Sequence, residues 1–419
     1  MKEYFKQFEA EWVDKMTKAI ASKPYSECEK GVADIALATL EEIGAECCRD
    51  KVGNVVGVIR GSEPGPTIVL NGHMDVVPEG SLEAWGDLDP FKAEVRDGKL
   101  YGRGTTDMLS GFMCELFAFR EVKKAVDAGA ALKGNLVIAG VVCEETAESL
   151  GTLTLCEETL PAMNIKPDFV ILGEQSNGNL NVGQRGKVEL VVEVYGKVAH
   201  SSAPWQGISA VEKAMPVVEA INNQLYKVQP VHEKLGPAVM CVTDIEVTPG
   251  RMYSCVPDHC SITIDRRYLP DSYPGTIQEC IDEFQAFLDF LAKKDPEFKA
   301  EVHQRMNKRK SYLGDVYEIP KQHAAWITDM ELPMVKASFA ALRKIGLDPQ
   351  EAYFVVGTDG SITAGTYNIP TISFAMTLPE MCHQPREYCV LADEMVEIEG
   401  FTVMAFDLLG LDFDATYPD

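Results

Sequence analysis

The stretch Thr67-Ile68-Val69-Leu70-Asn71-Gly72-His73-Met74-Asp75-Val76-Val77-Pro78 sets the pattern for the chain. Apolar, β-favouring residues run into a turn and deliver a histidine and an aspartate two positions apart. Side chains at i and i+2 of a strand or its extension project from one face, so His73 and Asp75 can sit side by side. A carboxylate beside an imidazole selects its tautomer and leaves the other ring nitrogen free for a metal. A histidine merely hydrogen-bonded at a strand end is the plainer alternative, and the remaining motifs weigh against it.

With 419 residues, the chain exceeds what one core usually supports, and two domains are expected. Its 46% hydrophobic and 25% charged residues are those of an ordinary globular protein. Acidic side chains number 64 against 39 basic ones, and the net charge of −25 argues against a nucleic-acid surface or an anionic membrane as partner. The opening residues alternate charged and apolar side chains instead of forming a signal peptide, and no run approaches a membrane span, so a cytoplasmic location is expected. Twelve cysteines without a Cys-x-x-Cys pair read as small apolar residues in a reducing compartment.

Apolar residues at helical spacing predict helices over 3–21 and 27–45, and strands follow at 52–59 and up to His73. After a hairpin turn at Asp97-Gly98, Tyr101-Gly102-Arg103-Gly104-Thr105-Thr106-Asp107-Met108 leads into a helix over 109–122. A strand over 135–143 ends at Glu144-Glu145, a helix is expected over 149–160, and a strand over 168–172 ends at Gly173-Glu174. Helices alternating with apolar strands indicate an α/β catalytic domain with a mostly parallel central sheet, whose ligand crevice lies beyond the strands' carboxyl ends. From 187 to 305 the order changes to strand-helix-strand-strand-helix-strand, the split pattern of a small inserted α+β, ferredoxin-like domain. Residues 1–186 and 306–419 then form the larger domain, with an irregular segment expected from Lys308 to Trp326 and a closing helix over 392–409.

Five potential ligands thus fall at strand ends or tight loops: His73, Asp107, Glu145, Glu174 and His383. Two imidazoles and three carboxylates without cysteine suit two divalent ions, zinc first, with cobalt and manganese as alternatives. Of the adjacent glutamates, one can ligate while the other, left free, takes a proton from water whose pKa a metal has lowered to about 7.

Gly72-His73-Met74-Asp75, Gly102 to Met108, Glu144-Glu145 and Gly173-Glu174 resemble, in order, the motifs of the acetylornithine deacetylase, succinyl-diaminopimelate desuccinylase and carboxypeptidase G metallopeptidase family. His383 with Glu387 resembles its closing His-x-x-Asn-Glu. The resemblance implies a zinc-peptidase-like fold in which Asp107 bridges two metals, His73 and Glu174 complete one site, and Glu145 and His383 the other. It further implies that Asp75 orients His73 and that Glu144 is the general base and acid. Glutamate at 174 is typical of the family's deacylases and carboxypeptidases, which points to an amide next to a free carboxylate. The insertion resembles the family's lid and dimerisation domain and implies a homodimer. Gly196 to Pro204 resembles the lid motif whose histidine, here His200, reaches the partner's site and stabilises an oxyanion. Asp265-Arg266-Arg267 resembles the lid's Asp-x-Arg, making Arg267 a candidate to hold a substrate carboxylate; a structural ion pair with Asp265 is the alternative.

Ser254 and Arg386 replace asparagines common in relatives, and Ala375-Met376-Thr377 replaces a glycine-rich turn, so substrate contacts are expected to differ. The segment from Tyr312 to Trp326 resembles the selenium-metabolism-linked hydrolase subgroup. The expected activity is hydrolysis of an N-acyl amino acid or small peptide-like amide. A dipeptidase or carboxypeptidase with the same site is the near alternative, and a metal-stabilised binding or assembly protein without turnover the distant one.

Overall fold

In the computed structural model of the chain, which describes residues 2–146, 149–223, 225, 229–250 and 253–417, the opening stretch completes the strand Glu63–His73. It is buried from Thr67 to its end. Parallel neighbours flank it: Lys133–Val141 on one side, and Phe169–Leu172 then Thr371–Ser373 on the other. Antiparallel strands extend this sheet outward through Val55–Arg60 and Glu46–Arg49 at one edge and through Leu180–Gln184 and Trp326–Ile327 at the other. Four parallel strands covered on both faces explain the continuous apolar runs, because neither face meets water.

Alternation along each strand splits the core in two. Ile68, Leu70, Leu136, Ile138, Phe169 and Ile171 face one way and join Phe112, Phe117 and Phe401. Val69, Val137, Val170 and Leu172 face the other and join Leu155 and Leu160. The first layer is the pair of long helices Leu109–Asp127 and Leu391–Leu408. Gly111 permits the first helix to press onto the sheet. A methyl group there would lie 2.0 Å from the carbonyl oxygen of Gly173, the residue before Glu174.

The insertion forms its own antiparallel sheet in the order Val239–Thr248, His259–Tyr268, Gly186–Tyr195, Lys299–Gln304. Numbered along the chain, this is the 2-3-1-4 order of a ferredoxin-like fold. The helices Ala210–Asn223 and Ile277–Lys294 bury Val217, Ile221, Phe284 and Leu288 with Val188, Leu190, Val192, Ile262 and Ile264 in a separate core. The second helix starts with a full capping box between Thr276 and Glu279.

Three local expectations need correction. Lys308 to Trp326 is not irregular: Met306–Lys310 pairs with Val316–Pro320 as a hairpin, and Gln322–His323 then joins the inserted sheet beside Lys187 and Val188. The first strand of the ribbon alternates exposed and half-buried residues and the second buries only Ile319, so charged side chains stand at strand spacing without an apolar run to mark it. The expected helix over 149–160 contains one wider turn at Leu155–Thr159 between short α-helical pieces. The first helix breaks at Gln7 into Glu3–Lys6 and Glu9–Ala21. No helix among the described residues is long and apolar enough to cross a membrane.

Candidate metal centre

The carboxyl ends of the parallel strands converge on one crevice, as the doubly covered sheet requires. His73 ends its strand; Glu144 and Glu145 follow Lys133–Val141; Glu174 follows Phe169–Leu172. Asp107 arrives on the loop before the helix Leu109–Asp127, and His383 on the loop after the strand Thr371–Ser373. All but the half-exposed His383 are largely buried.

Asp107 lies at the centre. Its Oδ1 is 3.1 Å from His73 Nε2 and its Oδ2 3.1 Å from His383 Nε2, so one carboxylate turns an oxygen toward each imidazole. Glu145 Oε2 lies 3.0 Å from His383 Nε2, Glu174 Oε1 3.7 Å from His73 Nε2, and Glu144 Oε2 4.0 Å from the same nitrogen. The structure therefore brings the five expected ligands and Glu144 together.

Asp75 acts on this group by a route the sequence does not display. Its backbone carbonyl accepts from His73 Nδ1 at 2.9 Å, whereas its carboxylate stands 3.5 Å from that nitrogen. The carboxylate instead accepts the amides of Glu144 and Glu145, both at 3.1 Å, and the Ser26 hydroxyl at 2.6 Å. The same turn holds Cys143 at φ +58°, a left-handed conformation rare for a residue with a side chain, with its amide donating to Glu29. Glu387 anchors the opposite wall. It accepts the amides of Thr106 and Asp107 at 2.7 and 3.1 Å and is ion-paired with buried Arg103.

The electrostatics test whether cations fit. Burial alone would raise the Asp107 carboxyl, but hydrogen bonds from His383 and His73 overcome it and hold it well below the carboxylate range. The remaining carboxylates have too few cations. Burial drives Glu144 well upward despite His73, with Glu174, Asp359 and Glu145 adding to the rise. Burial and then Asp107 push Glu145 up to about 7, and the same two causes raise Glu174 well above the usual carboxylate range. Asp107 and Glu145 hold the His383 imidazole up at about 10. Glu144 Oε1 and Glu145 Oε1 are buried with no hydrogen-bond partner. Carboxylates in excess over imidazoles, with unpaired buried oxygens turned into a crevice, form a donor set that fits divalent cations.

The family model for peptidase family M20/M25/M40 matches residues 69–404, which span every one of these motifs. The chain belongs to this family. It is accordingly a metal-dependent amide hydrolase. An uncharacterised Escherichia coli protein, YgeY, is 29% identical over 369 residues, covering 87% of this chain and 86% of that one. A probable succinyl-diaminopimelate desuccinylase of Staphylococcus epidermidis is 28% identical over 347 residues, covering 81% of this chain and 82% of its own. Among solved structures, the Bacillus subtilis protein YXEP, described as a dinuclear metal-binding peptidase of the M20 family, superposes with a TM-score of 0.68. That likeness covers 97% of this chain and 100% of YXEP at 15% identity.

Two expected site residues of this M20 hydrolase stand elsewhere. His200 is exposed on the inserted domain, where its Nδ1 meets the Ser202 hydroxyl at 2.7 Å and no group of the metal centre. Arg267 is paired with Asp265 at 2.7 and 3.3 Å, and also lines a cavity of about 600 Å³ with Arg185, Lys187 and His323. A second cavity of about 360 Å³ runs past Gln175, Asn179, Asn181 and Tyr353 to Cys382, whose Sγ is 2.6 Å from Asp107 Oδ2. Val355 and Val356 line both.

His323 makes this region sensitive to acid. Its ring is buried with both nitrogens unpartnered, and burial, then Lys187 and Arg267, push its pKa down to about 3. The unfolded chain takes up a proton near pH 6.5 that the folded chain refuses, so stability falls as pH drops below that value. Chelated protein is expected to lose about 2 kcal/mol through this group between pH 7 and 5, read by urea unfolding. His323→Gln should show a correspondingly flatter profile; an equal slope would mean other groups carry the dependence.

Sequence reasoning passed over Glu29, Ser26 and Asp359. Asp359 sits buried near Glu144 with Oδ1 unpartnered, and only its place in a Gly-Thr-Asp-Gly turn hinted at constraint. Glu29 and Ser26 carry no local signal, because their partners are distant in the chain.

Proposed function

We propose that this enzyme cleaves the amide of an N-acyl amino acid, or of a small peptide-like molecule, that carries a free carboxylate. The observation that carries the proposal is Asp107 turned between His73 and His383 while a buried Glu144 oxygen stays unpaired. His73 and Glu174 would hold one ion, Glu145 and His383 the other, and Asp107 both, zinc being the first candidate and cobalt or manganese the alternatives. The dinuclear description of YXEP supports a pair of ions. Bound there, divalent ions lower the pKa of water and polarise a carbonyl.

Glu144 then takes the water's proton and returns it to the departing nitrogen, a task for a carboxyl whose pKa burial has raised. Asp75 keeps both glutamates aimed by holding their amides. The cationic cavity at Arg185, Lys187 and Arg267 suits a substrate carboxylate, and the adjoining amide-lined cavity suits a polar neutral group. The similarity to a desuccinylase favours an acyl-amino-acid substrate over a dipeptide.

Residues 187–305 serve in this reading as a lid and dimerisation domain on the catalytic domain, 1–186 and 306–419. Its edge strand Val239–Thr248 and its helix Ala210–Asn223 expose Ile245 and Met215 around an apolar groove, which favours a homodimer. The exposed His200 is then free to serve the partner's site as an oxyanion donor. His200→Ala should lower kcat about 100- to 1,000-fold at unchanged metal content. Mixing that variant with inactive Glu144→Gln protein should restore turnover after subunit exchange, because one mixed site is complete. A fully active monomer in sedimentation, or no recovery on mixing, would remove His200 from the site.

The decisive assay is hydrolysis of a panel of N-acetyl, N-succinyl and dipeptide substrates, with and without zinc, cobalt or manganese, alongside elemental analysis. Metal-dependent release of an acyl group supports a deacylase, and turnover of dipeptides alone points to the peptidase alternative. Metal-loaded protein inert on the whole panel would count against this substrate class.

A further inference from the structure

Beneath the metal centre, between its two long helices, lies a second cluster that the proposed reaction does not use. Cys114 on the helix Leu109–Asp127 and Glu394 and Glu397, three apart on the helix Leu391–Leu408, offer ligand atoms all within 4.8 Å of one another. Cys389, on the short strand Tyr388–Val390, touches Glu394 as well. All four side chains are buried. The set is chemically distinct from the five-ligand crevice above: it pairs the Cys114 sulfur with two carboxylates and holds no imidazole.

A separate observation points to a missing cation. Glu115 is wholly buried beside Glu397 with only the Asn71 backbone turned toward it, and Glu394 Oε1 and Glu397 Oε1 are buried with no hydrogen-bond partner. No Lys, Arg or His is paired with these three carboxyls among the described residues. Leaving so many buried oxygens unpaired costs several kcal/mol unless a cation or shared protons compensate.

We propose that Cys114, Glu394 and Glu397 form a structural site for a thiophilic divalent ion, zinc foremost, separate from the dinuclear centre. The spacing supports it. A tetrahedral zinc with Zn–S of about 2.3 Å and Zn–O of about 2.0 Å sets its sulfur and oxygen ligands about 3.5 Å apart. Cys114 Sγ lies 3.5 Å from Glu394 Oε2. Binding sends the Cys114 thiol proton to solvent and leaves one thiolate and two carboxylates on the ion. The ion would join the helix that follows Asp107 to the chain's long closing helix.

Cobalt-loaded full-length protein tests this. The expected result is a thiolate-to-cobalt charge-transfer band in the near ultraviolet, retained in Cys382→Ser and lost in Cys114→Ser with about one ion fewer per chain. Asp107→Asn, aimed at the dinuclear centre alone, should keep the band, so failure of the catalytic reading and of this one are separable. The wild-type spectrum decides even if Cys114→Ser fails to fold. No band in wild-type protein, or a band that vanishes with Cys382→Ser, would overturn the site and leave the carboxyls holding protons instead.

Discussion

Glu144→Gln is expected to lower turnover about 100- to 10,000-fold while the protein retains its metal. The substitution is isosteric and keeps the backbone amide bonded to Asp75, so the turn stays in place. It removes the group able to accept a proton. Glu144 is also the most distant of the carboxylates from an imidazole, 4.0 Å from His73 Nε2, which suits a base better than a ligand. Glu145→Gln differs by one position and should behave differently. Its carboxylate sits 3.0 Å from His383 Nε2, and losing that charge should weaken metal binding as well as rate. Elemental analysis and kcat on both variants check the division of labour; equal metal loss in the two, at equal folding, would contradict it.

Asp107→Asn should be more damaging still. An amide offers one acceptor oxygen where the carboxylate offers two, so either His73 or His383 loses its partner at 3.1 Å. The charge shared between the two sites disappears with it. Removing a partner that only supports a ligand typically costs 10- to 100-fold in metal affinity, so a shared ligand should cost more than about 100-fold. Both ions are expected to leave on dialysis and turnover to fall below detection. The loop itself should persist, since Glu387 binds the amides of residues 106 and 107 and not the carboxylate. Full metal content and activity in this variant would mean that Asp107 is not the centre of the site.

The helix Leu391–Leu408 shows where legibility in sequence ends. Its apolar residues predict a buried helix, and it is one, yet nothing in its spacing announces that Glu394 and Glu397 point into the core beside Cys114. Amphipathic logic assigns acidic residues to the solvated face by default. The hairpin at Asp97-Gly98 is the opposite case. Both residues adopt positive φ, 49° and 75°, which aspartate tolerates and glycine, lacking a Cβ, adopts freely, so the dipeptide alone announces the turn.

What the sequence determined by itself is local. Apolar runs ending in charged or imidazole residues specify strands whose carboxyl ends carry His73, Glu144, Glu145 and Glu174, because a parallel sheet covered on both faces leaves only those ends open. The tertiary structure alone decided which atoms meet. It set the Asp75 carboxylate on amides 69 and 70 residues away, the Glu387 clamp 280 residues from Asp107, and His200 outside its own chain's site. Such contacts depend on strand order and helix packing across the whole chain, and short-range periodicity carries no record of them.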